Sequence, residues 1–159
     1  MKRLKIVFCT FLVLFICGCV YVPDVPGYFQ EQLADVDEEN KELDYLDCNL
    51  KYERCEIIQE EYGDKNLYVY FKFTNNSDEN ATFDYTFDIK SFQNGIELDS
   101  NYVYDCEEEE NGSKEIQPGT TITVAEVFEL GDSTENVMLE IRPFVLSDKA
   151  LMDLQIELQ

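Results

Sequence analysis

Thirty-four carboxylates, six cysteines and no histidine set the chemistry open to this 159-residue chain. The missing histidine removes imidazole acid/base catalysis, Ser-His and Cys-His nucleophile pairs, and most catalytic zinc sites. Carboxylate pairs, as in glycoside hydrolysis, remain open to so acidic a chain. One acidic run stands out. Asp105, Glu107, Glu108, Glu109 and Glu110 precede Asn111-Gly112-Ser113. Oxygen-rich loops of this kind bind Ca2+, which takes six to eight oxygen ligands. No EF-hand spacing accompanies the run, so it stands as a weak cation site at most; a run of glutamates ordinarily points into water.

The cysteines divide into two sets. Cys9, Cys17 and Cys19 lie in or beside the apolar N-terminus; Cys48, Cys55 and Cys106 lie in the body of the chain. Cys48 and Cys55 on one extended strand would be roughly 23 Å apart at ~3.3 Å per residue. A disulfide needs Cα atoms within about 7 Å. Any bridge is therefore expected between Cys106 and Cys55, or between Cys106 and Cys48.

The elements that must position these groups begin with Met1-Lys2-Arg3-Leu4-Lys5, a short basic segment. Ile6 to Ile16 is apolar apart from Cys9 and Thr10. That length suits a signal-peptide core and is shorter than the roughly 20 residues of a membrane-spanning helix. Ile16-Cys17-Gly18-Cys19 resembles the box that ends bacterial lipoprotein signals, with Cys19 as the lipidated residue and Gly18 as the last residue removed. Residues 1–18 are thus expected to be a cleaved lipoprotein signal peptide. Two or more acyl chains on Cys19 would anchor the protein stably to the extracellular face of the cell membrane without spanning it.

Removal of Lys2, Arg3 and Lys5 leaves 9 basic residues against 34 acidic ones, a net charge of −25 in place of −22. Such a surface repels nucleic acid and anionic lipid. It suits divalent cations and basic polypeptides, and it also keeps a β-rich domain soluble and blunts its edges. Residues 19–44, with two prolines and a glycine followed by an acidic stretch, are expected to form a lipidated tether.

Residues 45–159 read as one all-β domain. Leu67, Val69, Phe71 and Phe73 alternate with Tyr68, Tyr70, Lys72 and Thr74. Phe83, Tyr85, Phe87 and Ile89 alternate with Asp84, Thr86, Asp88 and Lys90. Asn94-Gly95 is a strong hairpin signal, and Pro118-Gly119 suits a type II turn. With "LDCNLKYERCEII", "IELDSNYVY", "TTITVAEVFEL", "VMLEIRP" and "ALMDLQIEL", about seven strands are expected. Their spacing predicts an immunoglobulin-like antiparallel β-sandwich.

Phe71 to Ser77, Phe92 to Gly95 and Ile116 to Gly119 carry a more specific pattern. In these stretches the chain resembles a family of lipid-anchored Gram-positive bacterial proteins with an immunoglobulin-like domain of unknown function. The resemblance covers most of residues 48–158. It implies a secreted β-sandwich and no catalytic residues. The expected function is a cell-surface lipoprotein presenting a small non-enzymatic binding or accessory module to an extracellular protein or ligand. Tyr68, Tyr70, Tyr102 and Tyr104 are candidate recognition residues, unless a second buried sheet face accounts for them. The alternatives are a cation-binding or envelope-stress-sensing surface domain and, last, a carboxylate-based hydrolase, which would need two acids of separated pKa in a cleft.

Overall fold

A computed structural model describes residues 34–59, 65–103, 106–144 and 149–158. The expected signal peptide, Cys19, the first part of the expected tether, Tyr104 and Asp105 lie outside those residues. Among the described residues no helix is long and apolar enough to cross a membrane.

Two antiparallel sheets face each other across the core. The first has the order β1-β2-β3-β4-β9, built from Ala34–Asp37, Glu42–Tyr45, Cys48–Gln59, Lys65–Asn75 and Thr121–Leu130. The second has the order β11-β10-β6-β7, built from Met152–Ile156, Val137–Pro143, Phe87–Gln93 and Ile96–Glu97. β5 (Ala81–Thr82) and β8 (Glu115–Ile116) form a separate two-stranded antiparallel pair. The architecture is the expected all-β sandwich.

Leu67, Val69, Phe71 and Phe73 of β4 form its centre with Val124 and Phe128 of β9. The second sheet contributes Phe87, Ile89, Leu139, Ile141, Met152, Leu154 and Ile156. Each strand supplies every second residue, because a pleated strand sends alternate side chains to opposite faces. Asn94 (φ 55°) and Gly95 (φ 76°) form the two-residue turn between β6 and β7. Gly119 (φ 77°) sits in the turn that Thr120 N–H closes onto Gln117 O at 3.1 Å. Both turns are where the sequence placed them.

Three expectations are corrected. Residues 34–44 are not tether: β1 and β2 pair antiparallel and extend the first sheet. Leu43 is completely buried, Tyr45 is buried, and Ala34 and Val36 pack against the core. The few apolar residues there are set among acids, which hid the alternation. The turn after β2 places Leu46 and Asp47 at positive φ without glycine or asparagine, so it carries no turn signal. Residues 83–90 are not one strand: Phe83–Thr86 form a helical turn, α1, and the strand starts at Phe87. Phe83 is buried while Tyr85 stands 72% exposed. Residues 96–104 are not one strand either: β7 ends at Glu97, and only Ser100 bridges to Phe128 beyond it.

The expected disulfide is corrected too. Cys48, Cys55 and Cys106 are unbridged. Cys48 and Cys55 pack with the main core, whereas Cys106 packs against Tyr68, Tyr70, Ala125 and Val127. The latter group lies on the opposite face of the first sheet, so the sheet itself separates Cys106 from both partners. A bulge between Tyr52 and Arg54 shifts the alternation of β3, which is why Cys48, Leu50 and Tyr52 face inward before it and Cys55 and Ile57 after it.

Candidate functional site: a carboxylate-lined cavity at the β9 edge

β4 is buried on both faces. Tyr68 and Tyr70 lie on its outer face with rings stacked at 6.4 Å, and both are buried. They are therefore packing residues, as the second-buried-face reading allowed. Their cover is the segment after β7. Asn101 N–H donates to Val127 O at 2.8 Å, and Glu129 N–H donates to Asp99 O at 2.9 Å, closing part of the free edge of β9. The chain then reaches α2 (Glu107–Glu110) and a 3-10 turn at Asn111–Ser113. Asn111 Nδ2 donates to Thr123 O at 2.9 Å and fastens that turn to the same edge.

Between these two fastenings lies a cavity of about 280 Å³ lined by Asp84, Ser100, Asn101, Tyr102, Glu109, Ala125, Glu126 and Val127. Three carboxylates from three elements line it. Glu126 sits opposite Val69 in the β4–β9 register and so shares the core-facing side of β9 with Val124 and Phe128. Asp84 is carried by α1, whose helical turn sets it beside Gly112; a Cβ added there would lie 2.4 Å from Asp84 Oδ1. Glu109 comes from α2, and its Oε2 is buried with no hydrogen-bond partner.

Burial in a low-dielectric site disfavours the charged form of an acid. Burial pushes the Glu126 carboxyl up to about 8, helped by the like charges of Asp84, Asp88 and Glu109. Burial also raises Asp84. Glu109 is raised by burial and then by Asp84 and Glu110. Among the described residues no lysine or arginine opposes any of these shifts.

The acidic run is therefore split. Glu109 turns into the cavity, Glu107 and Glu110 are exposed on α2, and Glu108 accepts a weak contact from the Cys106 thiol at 3.9 Å. Among the described residues no three acidic, cysteine or histidine side chains are arranged to hold one metal ion. Tyr102 stands at the cavity, 58% exposed. Asp84 and Glu126 were not singled out in the sequence. Glu126 did carry a signal, a charged residue in inward phase between Val124 and Phe128; Asp84 carried none, because its strand phase placed it on a solvent face.

A larger cleft of about 790 Å³ opens between β3 and β11. Three of its charged residues are paired within the fold, Arg54 with Glu56 at 3.0 Å and Glu53 with Lys72 at 3.2 Å. The β9 cavity differs in holding carboxylates that no lysine or arginine among the described residues offsets.

Known proteins share this architecture. A candidate lipoprotein from Staphylococcus aureus superposes with a TM-score of 0.63 at 16% identity, covering 79% of this chain and 93% of that one. A protein from Enterococcus faecalis superposes with a TM-score of 0.57 at 18% identity, covering 80% and 94%. A candidate lipoprotein from Bacillus subtilis, YcdA, superposes at 0.52 with 12% identity, covering 79% of this chain and 38% of that one. These likenesses concern the fold. No curated protein matches by sequence. A family model described as a domain of unknown function, DUF5067, matches residues 30–143, which include both sheets up to the end of β10, and the chain belongs to that family.

Proposed function

We propose that this protein is a lipid-anchored module on the outer face of the cell membrane, and that it binds a ligand without transforming it. The anchor rests on Ile16-Cys17-Gly18-Cys19 and on structural neighbours described as lipoproteins. The binding role rests on one observation, the lining of a single cavity by three carboxylates from α1, α2 and β9. Rigid sandwiches commonly carry recognition on the segments that cover their edges and ends.

The raised Glu126 beside other acids also resembles a general acid with its partner carboxylate. The cavity speaks against that reading. At about 280 Å³ it falls below the ~300–1,000 Å³ of ordinary small-molecule sites, and it suits one side chain rather than two sugar rings.

Cys19→Ala tests the anchor. The variant is expected in the medium or as unprocessed precursor. Membrane retention of a processed variant at the wild-type level would remove the lipid anchor from the proposal.

A further inference from the structure

At one end of the sandwich, Tyr85 (72% exposed), Leu46 (52%) and Phe144 (50%) stand around one cleft of about 510 Å³. Single exposed apolar side chains are ordinary, whereas a group of them around a concavity marks a docking surface. This group is fixed in place. The Tyr85 and Phe144 rings meet edge to face at 5.6 Å, and Phe144 N–H donates to Thr86 O at 3.1 Å. Thr86 Oγ1 in turn donates to Thr82 O at 2.8 Å. Rings already held outward lose little further freedom when something covers them.

Charge and position narrow what that cover is. Asp78, Glu79 and Glu115 line the same cleft, and among the described residues no lysine or arginine does. An anionic lipid headgroup is repelled there, as is a second copy of a chain of net charge −22. An uncharged apolar stretch is not, and the chain supplies one. Val25-Pro26-Gly27-Tyr28-Phe29-Gln30 carries no charge between Asp24 and Glu31. The chain enters the described fold at Ala34, which pairs with Tyr45, and Tyr45 lines the cleft. The Tyr45 ring lies 6.1 Å from that of Phe87, and Phe87 pairs with Pro143, the residue before Phe144. The path from Ala34 to Phe144 is thus a few steps of roughly 5–6 Å each. Phe29 lies five residues before Ala34, a span that reaches about 17 Å when extended.

We propose that residues 25–30 fold back over this end of the sandwich and seat Tyr28 and Phe29 against Leu46, Tyr85 and Phe144. The proposal goes beyond the binding-module reading and does not depend on the β9 cavity. Each seated ring removes apolar surface from water, up to about 150–250 Å² apiece. Pro26 lowers the conformational entropy lost as the stretch is ordered. Docking also fixes how far the sandwich stands from Cys19. Released, the chain from Cys19 to Ala34 extends to about 50 Å; docked, residues 25–30 are withdrawn from that span.

The test uses the full chain purified from membranes and held in phosphatidylcholine nanodiscs, with carbon-13 in its aromatic and leucine side chains. Nuclear Overhauser cross-peaks are expected from the Tyr28 and Phe29 rings to the Leu46 methyls and the Phe144 ring. Chymotrypsin should cut after Tyr28 and Phe29 about tenfold or more faster in a Tyr85→Ser/Phe144→Ser variant than in the wild type, as release of a docked stretch requires. Both replaced side chains are exposed, so the core is kept, and unchanged amide shifts in β3, β4 and β9 verify it. The wild-type cross-peaks decide the matter even if that variant fails to fold. The proposal is overturned by their absence or by equal cleavage rates in a folded variant. It is also overturned by broadening of the Leu46 and Phe144 signals from spin-labelled lipid, which would put the membrane on this end. Cross-peaks found only between differently labelled copies would put a second chain there and overturn it too.

Discussion

Glu126 ties the stability of the molecule to pH. Its carboxyl is raised from an ordinary 4.5 to about 8 by burial and by Asp84, Asp88 and Glu109. The folded state therefore holds a proton that the unfolded state releases between those values. Linkage then gives a stabilising contribution that is full below about pH 4.5 and is lost as pH rises to about 8. Asp84 and Glu109 are raised as well and add with the same sign. Denaturant unfolding should show higher stability at pH 5.5 than at pH 8.5. Glu126→Gln should flatten that slope and raise stability at pH 8.5 by on the order of a few kcal/mol. A slope unchanged by the substitution would place the titration elsewhere. Little of this site could be read from residue types. Glu107 to Glu110 look alike in sequence, yet only Glu109 enters the cavity, because the start of α2 sets which of the four turns inward. Glu126 was legible as a break in an apolar phase; Asp84 became a site residue only through the helical turn that replaces the expected strand.

At the scale of elements, the end of β4 is held by a single asparagine. Asn75 is fully buried. Its Nδ2 donates to Glu79 O at 2.8 Å and to Ile116 O at 3.0 Å, and its Oδ1 accepts from Ser77 N–H and from Ser77 Oγ. Its backbone pairs with Thr120 and Gly119. One side chain thus joins β4, the turn after it and β8. Asn75→Ala should cost about 3 kcal/mol, since several net bonds are lost and the Ile116 carbonyl is left buried without this donor. A cost below about 1 kcal/mol in urea unfolding would show that another group replaces it. The stretch from Phe71 to Ser77 includes Asn75, but nothing in it signals the contact 41 residues away. The same limit runs through the fold. β4, β9 and β10 were legible because their alternation is long and Gly, Pro or Asn stands beside them, and β11 was legible from its alternation alone. β1 and β2 were not, because four-residue strands beside a Leu46-Asp47 turn offer neither signal. The covered outer face of β4 was ambiguous because tyrosine suits both water and a core.

For the whole molecule the dominant quantity is charge, 34 acidic residues against 12 basic ones. The ion pairs Lys51–Glu42, Arg54–Glu56, Lys72–Glu53 and Lys90–Glu97 lie at the surface, where each contributes little. Self-repulsion outweighs them, so screening should help the folded state. The Tm is expected to rise by several degrees between about 0.01 and 0.5 M NaCl. A fall over that range would mean that the surface pairs matter more than the repulsion.

β1 is the outermost strand of the first sheet, and β9 is at the other edge, four strand spacings or roughly 19 Å away. The chain enters the described fold through β1. In a protein held at Cys19 and gripped at the β9 cavity, tension would run across the sheet, along the direction of its hydrogen bonds. That geometry opens a hairpin one rung at a time. The four rungs from Ala34↔Tyr45 to Asp37↔Glu42 would part first, while the β3–β4–β9 centre stayed closed. Under such a load the β1–β2 hairpin would act as a mechanical fuse, lengthening the leash before the β9 edge was disturbed.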